Sequence, residues 1–184
     1  MTYYGGKELA DAFRTVRKNT IRIAQDIPED KYGFKPTPES RSIAETLAHI
    51  ATLTMFQMML HGDRIPIEKI DFQEYMKKVG AAEAALKTKA EIIAGLTDAG
   101  EKFATMLEGL TDEKFFAEVI TFQPGATPPS RTRFDLLLAS KEHEMHHRGQ
   151  LMVMERMIGI VPHLTREAQE RMARFQAEQA KANA

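Results

Sequence analysis

The stretch Lys141-Glu142-His143-Glu144-Met145-His146-His147-Arg148-Gly149-Gln150 lies within a longer segment, residues 132–158, in which apolar residues recur with helical spacing. A glycine and a proline follow this segment and are typical of a helix end. Because His143 and His147 are four residues apart, a helix places their side chains on one face, with Cβ atoms roughly 5–6 Å apart. That face should lie in the interior, away from open solvent, because its other residues are mostly apolar. They are Leu136, Gln150, Met154 and Ile158.

Three further segments show the same periodicity, so we predict three more amphipathic helices. The first ends near Pro28. The second begins at a capping box in residues 42–45 and reaches about Leu60, and the third begins at a capping box in residues 88–91 and reaches Leu110. Four long helices with long connections predict an all-α four-helix bundle with crossover connections. The stripe of the first helix consists of Leu9, Phe13, Val16, Thr20, Ile23 and Ile27.

The segments between these helices are less regular. Residues 62–87 indicate no more than a short helix, and residues 123–130, which are rich in proline and glycine, indicate a loop. No pair of strands is predicted. A more polar helix follows the bundle at about residues 165–182. We therefore predict one domain over residues 1–184, with the bundle core at about 7–160 and the C-terminal helix beyond it.

The composition narrows the classes of function. Apolar residues make up 43% and charged residues 28% of the chain, which is ordinary for a soluble globular protein. The formal net charge of -1 favours neither nucleic acid nor an anionic membrane as a partner. The chain has no cysteine, which excludes disulfides, thiolate ligands and a cysteine nucleophile. Since neither a secretory signal nor a membrane-spanning apolar run is evident, we expect a cytoplasmic protein.

A third histidine, His49, lies on the second predicted helix and shares its face with apolar residues, so it should also point inward. Three imidazoles from two helices can hold one divalent ion and leave positions open for water or substrate. The alternative is that each histidine is a hydrogen-bonded core residue, which is common for a histidine on an apolar face. The pair on the fourth helix leaves both interpretations open, and His49 favours the metal.

Other polar residues near this face are predicted to have no part in metal binding. His146 is turned by roughly 60° from the ligand face. We expect His61 and His163, near helix ends, to be solvated. Glu144 and Arg148 are four residues apart and of opposite charge, so we interpret them as an ion pair on the helix surface.

Two motifs resemble those of the DinB/YfiT-like superfamily, whose members include metal-dependent enzymes. One is residues 35–38, Lys-Pro-Thr-Pro, leading into residues 42–50, Ser-Ile-Ala-Glu-Thr-Leu-Ala-His-Ile. The other is His143 together with residues 147–151, His-Arg-Gly-Gln-Leu. The resemblance covers about residues 7–160 and includes the long helix between the motifs.

The resemblance implies a four-helix bundle, in most relatives a homodimer, with a three-histidine metal site. His49, His143 and His147 match the three ligand positions of the family one by one. We therefore expect one divalent ion per chain, which we take to be zinc, with nickel or iron as alternatives. No catalytic residue is assigned.

Some relatives are thiol-dependent, namely mycothiol-dependent isomerases and bacillithiol S-transferases. The leading hypothesis is therefore a metal-dependent transferase that joins a low-molecular-weight thiol to an electrophile, since a divalent ion favours the thiolate at neutral pH. Residues 143–147 also satisfy the pattern H-E-x-x-H, so a metal-dependent hydrolase is one alternative. A metal-binding bundle without catalytic activity is the other.

Two further expectations concern the surroundings of the site. The substrate should be a small molecule in a pocket walled by Leu53, Phe56 and Met154, where Gln150 bonds the ligand or a nearby water. A second apolar stripe lies on the fourth helix, nearly opposite His143, and should meet either the C-terminal helix or a second subunit. It consists of Phe134, Leu138, Met145 and Met152.

Overall fold

Helices dominate the structure, as the apolar periodicity predicts. The computed structural model describes residues 4–182 of the chain. In chain order the helices are α1 (Gly6–Asp26), α2 (Ile43–Thr52), α3 (Met55–Gln57), α4 (Phe72–Ala85), α5 (Lys89–Glu108), α6 (Glu113–Ala117), α7 (Arg133–Met157) and α8 (His163–Ala182), with a π-helical turn at Met58–Gly62 and 3-10 turns at Glu29–Lys31 and Ile67–Lys69.

The core lies among four of these helices, because α5 and α7 each pack against both α1 and α2. The predicted stripe of α1, from Leu9 to Ile27, is buried, with no member more than 6% exposed. One apolar cluster surrounds Ile23 and Leu47, and a second surrounds Phe13 and Phe103. The all-α fold class is thus confirmed.

The two predicted capping boxes are present and fix where their helices begin. At the start of α2, the Ser42 Oγ accepts a bond from the backbone N–H of Glu45, and the Glu45 carboxylate accepts one from the backbone N–H of Ser42. Thr88 and Glu91 make the same reciprocal pair at the start of α5. These local bonds set the helical phase that places His49 on its face.

The second helix is shorter than predicted, because it ends at Thr52 and the chain turns before α3 begins. In a continued helix, the carbonyls of His49 and Ile50 would accept bonds from backbone N–H groups four residues later. They accept side-chain bonds here, at 3.0 Å from the Thr52 hydroxyl and at 3.2 Å from the Arg17 guanidinium. These donors compete with the backbone and coincide with the break.

The helical stretch Ile43–Gly62 is long and apolar enough to cross a membrane, judged by length and composition alone, with a mean hydropathy of 1.2. In the structure 56% of this stretch is buried inside the protein. Ile43, Leu47 and Ile50 are fully buried in one of the core clusters. Such burial is typical of the core helix of a soluble protein.

The connection between α3 and α5 contains a longer helix than the short one predicted for it. It contains α4, a helix of 14 residues whose N-cap, Asp71, accepts bonds from the backbone N–H groups of Gln73 and Glu74. None of the residues of α4 is buried. The apolar periodicity that marks a core helix is therefore weak in this segment.

A short hairpin is a third difference from the prediction, which contains no strand pair. Strand β1 (Val119–Thr121) pairs antiparallel with β2 (Ser130–Thr132), and Ile120 lies opposite Arg131. The predicted loop in residues 123–130 provides the hairpin connection. Strands of three residues are too short for an alternating pattern to be read from the sequence.

The prediction that His61 and His163 are solvated is wrong. His61 is fully buried and contacts the Arg133 guanidinium at 3.1 Å, and burial lowers its pKa to about 3. His163 is 3% exposed and starts α8 against α1, where its Nε2 contacts Asn19 at 3.3 Å. Arg166 makes a second contact between α8 and α1, an ion pair with the Asp26 carboxylate. A position near a helix end does not ensure exposure when another helix packs over it.

Candidate metal centre

The imidazoles of His49, His143 and His147 come together where α2 faces α7. Each offers one potential donor nitrogen, and these nitrogens all lie within 4.8 Å of one another. The ring of His49 lies 5.3 Å from that of His143 and 4.9 Å from that of His147, measured between centroids. The structure thus brings together the three residues that the sequence selects.

Two of the imidazoles approach closely enough to share one ion. The Nε2 atoms of His143 and His147 are 2.9 Å apart. Donors that bind one ion at about 2.0–2.1 Å lie roughly 2.9–3.4 Å apart when the angle between their bonds is near 90° to 110°. The three histidines therefore fit a divalent cation. A small rotation of the imidazole rings would bring all three nitrogens within bonding distance of it.

The other ring nitrogens of two histidines are held by neighbouring side chains. The Nδ1 of His49 lies 2.9 Å from the carboxylate of Glu83 on α4, which also accepts a bond from Thr52 at 3.2 Å. The Nδ1 of His147 lies 2.8 Å from the Gln150 side-chain oxygen. An oxygen acceptor at Nδ1 places the proton there, which leaves the lone pair of Nε2 directed at the centre.

The protonation of the centre also suits a metal. Burial lowers the pKa of His147 to about 4. Partial desolvation by the neighbouring rings also lowers the pKa of His143, although its side chain reaches solvent, and the charges of His49, His146 and Arg41 add to this effect. Both imidazoles are therefore neutral at pH 7, which is the form that binds a metal ion.

The centre is more open than the sequence indicates. His147 is buried at 7% exposure and His49 is half-buried, but His143 is exposed. The expectation that the whole ligand face lies away from solvent is wrong for His143 and for Gln150, which is also exposed. The opening on this side gives a small molecule access to the three nitrogens.

A cavity of about 420 Å³ adjoins the centre, with His147 and Gln150 in its wall. The prediction of the lining residues is partly correct, because Met154 lines the cavity, whereas Leu53 and Phe56 do not. The loop before α2, together with one residue each of α2 and α7, provides the rest of the lining. The remaining lining residues are Pro36, Ser40, Arg41, Thr46 and Val153.

The prediction that Glu144 pairs with Arg148 on the surface is wrong. Glu144 is fully buried, and both its oxygens accept bonds from the guanidinium of Arg17 on α1, at 2.9 Å each. Arg17 also donates to the backbone carbonyl of Leu96 at 2.7 Å. The carboxylate of Glu144 is therefore held in the core and is not free to act on a substrate.

The sequence does not predict how two residues contact the histidines of the centre. Glu83 is not predicted at all, because it lies 34 positions from His49 on a helix with a weak apolar pattern. Gln150 is predicted near the site, but its side-chain oxygen bonds His147 directly. The sequence contains no specific signal for Glu83. A general expectation could have suggested it, because histidines that bind a metal usually donate a hydrogen bond from their second ring nitrogen to a carboxylate or carbonyl.

Comparison with known proteins identifies the family of this chain. The model of the DinB superfamily matches residues 12–151. The uncharacterized protein YjoA of Bacillus subtilis strain 168 is 29% identical over 153 residues, which span 83% of this chain and 90% of the relative.

Solved structures of other proteins share the fold of this chain. A DinB-like protein from Bacillus subtilis has a TM-score of 0.61 at 25% identity, with 83% of this chain and 92% of that chain covered. A conserved protein from Enterococcus faecalis has a TM-score of 0.62 at 16% identity, with 85% and 96% covered. The second likeness, at such low identity, concerns the fold alone.

Proposed function

This chain belongs to the DinB superfamily, and on that premise we propose that it is a metal-dependent enzyme whose ligands are His49, His143 and His147. The observation that supports this most strongly is the convergence of their nitrogens within 4.8 Å. Glu83 and Gln150 orient two of the three rings. We propose zinc as the ion, with nickel or iron as alternatives, because imidazole suits all three.

The proposed reaction is transfer of a low-molecular-weight thiol to an electrophile. A bound divalent ion would supply the positive charge that favours a thiolate at neutral pH. The chain has no cysteine, so the thiol must enter as a substrate. The cavity beside His147, at about 420 Å³, falls in the size range of small-molecule sites.

The hydrolase alternative finds less support in the structure. In an H-E-x-x-H enzyme the glutamate acts as general base, which requires a free carboxylate near the metal. In this chain that glutamate is Glu144, which is fully buried and bonded to Arg17. A metal-binding protein without catalytic activity is the alternative that the experiments below distinguish.

We also propose a homodimer, formed through α7. Of the predicted second stripe, Phe134, Leu138 and Met152 pack partly against the core clusters, whereas Met145 is 42% exposed. Val153 and Met157 of α7 are also exposed, but helical spacing turns them by about 80° and 120° from Met145. A second subunit would cover the face that carries Met145, and light scattering at micromolar concentration should give twice the mass of the chain. A monomer mass would contradict the proposal.

Metal analysis tests the proposed function most simply. The full chain, purified without chelator, should contain close to one divalent ion per chain. Cobalt-substituted protein should then show a thiolate-to-metal charge-transfer band when a small thiol is added. Metal binding without any such band would favour a metal-binding protein that does not use thiols. Absence of metal binding would refute both this alternative and the proposed enzyme.

A further inference from the structure

Arg41 lies at the cavity beside the histidine centre, on the loop that leads into α2. It lines the cavity together with His147 and Gln150. A small molecule that occupies this cavity is therefore within reach of the Arg41 side chain.

The guanidinium of Arg41 has no partner in the part of the chain that the structure describes. No carboxylate lies within ion-pair distance of it, and it makes no side-chain hydrogen bond within residues 4–182. The neighbouring basic residue on the same loop, Lys35, is instead paired with Glu45 at 3.0 Å. Arg41 thus keeps five N–H donors free for a ligand.

The charge of the cavity selects the kind of ligand. None of the eight residues that line it is acidic. Arg41 is the one permanently charged group among them, so the cavity is positive even before a cation binds. Such a cavity favours an anion.

The position of Arg41 relative to the metal ligands is fixed by the backbone around it. The residue before it, Ser40, is held in a turn by its N–H bond to the Thr37 carbonyl and by contact between the two hydroxyls at 2.7 Å. The residue after it, Ser42, is the N-cap of α2, the helix that carries His49. The same ordered stretch of backbone thus carries both Arg41 and, further along α2, a proposed metal ligand.

We propose that the substrate of this centre carries a carboxylate, which Arg41 binds while the other end of the molecule reaches the three histidines. The planar guanidinium matches a carboxylate through two parallel hydrogen bonds. A single cation suits a monoanion, whereas phosphate sites usually add several backbone N–H donors. The inference rests on the proposed function, because it names the substrate class of the same centre.

The test uses the full-length protein loaded with cobalt and two thiols that differ by one charge. These are 3-mercaptopropionate and its methyl ester, each titrated while the thiolate-to-cobalt band is recorded. The acid should bind about tenfold more tightly than the ester, as expected for a charged hydrogen bond at a partly exposed site. Arg41→Gln should remove this preference, and Arg41→Lys should retain part of it.

A matched control is Arg174→Gln, which removes an exposed arginine on α8 and should leave the preference unchanged. The cobalt content of each variant is measured first, so that a loss of metal is not mistaken for a loss of carboxylate binding. Succinate, which has no thiol, is titrated in parallel and followed by the d–d bands of cobalt. Its affinity should fall about tenfold in Arg41→Gln.

The outcomes separate the two proposals. If Arg41→Gln leaves the affinities for both 3-mercaptopropionate and succinate unchanged, or if neither binds, the carboxylate site is refuted. If no thiolate band forms but succinate binds in a manner that depends on Arg41, the carboxylate site is supported and the thiol chemistry of the proposed function is refuted.

Discussion

Replacing Glu155 with glutamine should make the stability of the protein less sensitive to alkaline pH. Glu155 lies on α7, is fully buried, and neither of its carboxylate oxygens has a hydrogen-bond partner among the described residues. Burial raises its pKa to about 7, with a further contribution from the negative charge of Asp26, and Arg166 and Arg156 oppose this. The folded protein therefore holds this carboxyl in its neutral form at mildly acidic pH.

The sign and size of the effect follow from proton linkage. The folded state binds the proton of Glu155 more tightly than the unfolded state does, so its contribution to stability is fully present below pH 4.5 and is lost as the pH rises through about 7. A rise from 4.5 to about 7 corresponds to about 3 kcal/mol, at about 1.4 kcal/mol per pH unit. Glutamine keeps the shape and cannot ionise.

The assay is urea unfolding of both proteins at pH 5, 7 and 9. The free energy of unfolding of Glu155→Gln, relative to the original protein, should increase by about 2.5 kcal/mol between pH 5 and pH 9. Glu178→Gln, at an exposed position on α8, should show no such change. A stability difference that is the same at all three pH values would refute the reasoning, because it would mean that Glu155 ionises equally in the folded and unfolded states.

Three further predictions concern the centre and the core. Alanine at any of the three ligand histidines should remove most of the bound metal, whereas His146→Ala should retain it. Glu83→Ala should weaken metal affinity by about 10- to 100-fold, because His49 loses its orienting partner, and Glu74→Ala on the same helix is the control. Gly100→Ala should lower the free energy of unfolding by about 1–3 kcal/mol, because its Cβ would lie 2.7 Å from the Cγ of Arg17.

Each of these predictions has a clear contrary result. Equal metal loss in the His146 variant would show that the wrong histidine of α7 is assigned as a ligand. Equal affinities in the two α4 variants, measured by competition with a chromophoric chelator, would remove the role of Glu83. Unchanged urea midpoints in the Gly100 variant would show that the Arg17 side chain moves aside at no cost.

The sequence predicts this structure best where neighbouring residues decide it. The capping pair of Ser42 and Glu45 acts over three positions, and the apolar stripe of α1 follows from helical periodicity alone. His143 and His147 share a face because they lie one turn apart. These features need no knowledge of distant contacts.

Prediction from the sequence fails where a distant partner decides the outcome. Glu144 has the spacing of a surface residue, and only its contact with Arg17, 127 positions away, shows that it belongs to the core. Glu83 reaches His49 from a helix with a weak apolar pattern. The early end of α2 likewise coincides with an Arg17 bond to the Ile50 carbonyl.

X-ray absorption at the zinc edge of the zinc-loaded protein tests the central claim most directly, because it reports which atoms surround the ion. Three imidazole ligands predict three nitrogens at about 2.0–2.1 Å, with the outer-shell scattering of imidazole rings and at least one further light atom from solvent. In the His49→Ala protein, which should bind little zinc, the ions that remain bound should show imidazole scattering lower by one ring. A spectrum with fewer than three imidazoles, or one that does not change in this variant, would contradict the three-histidine centre.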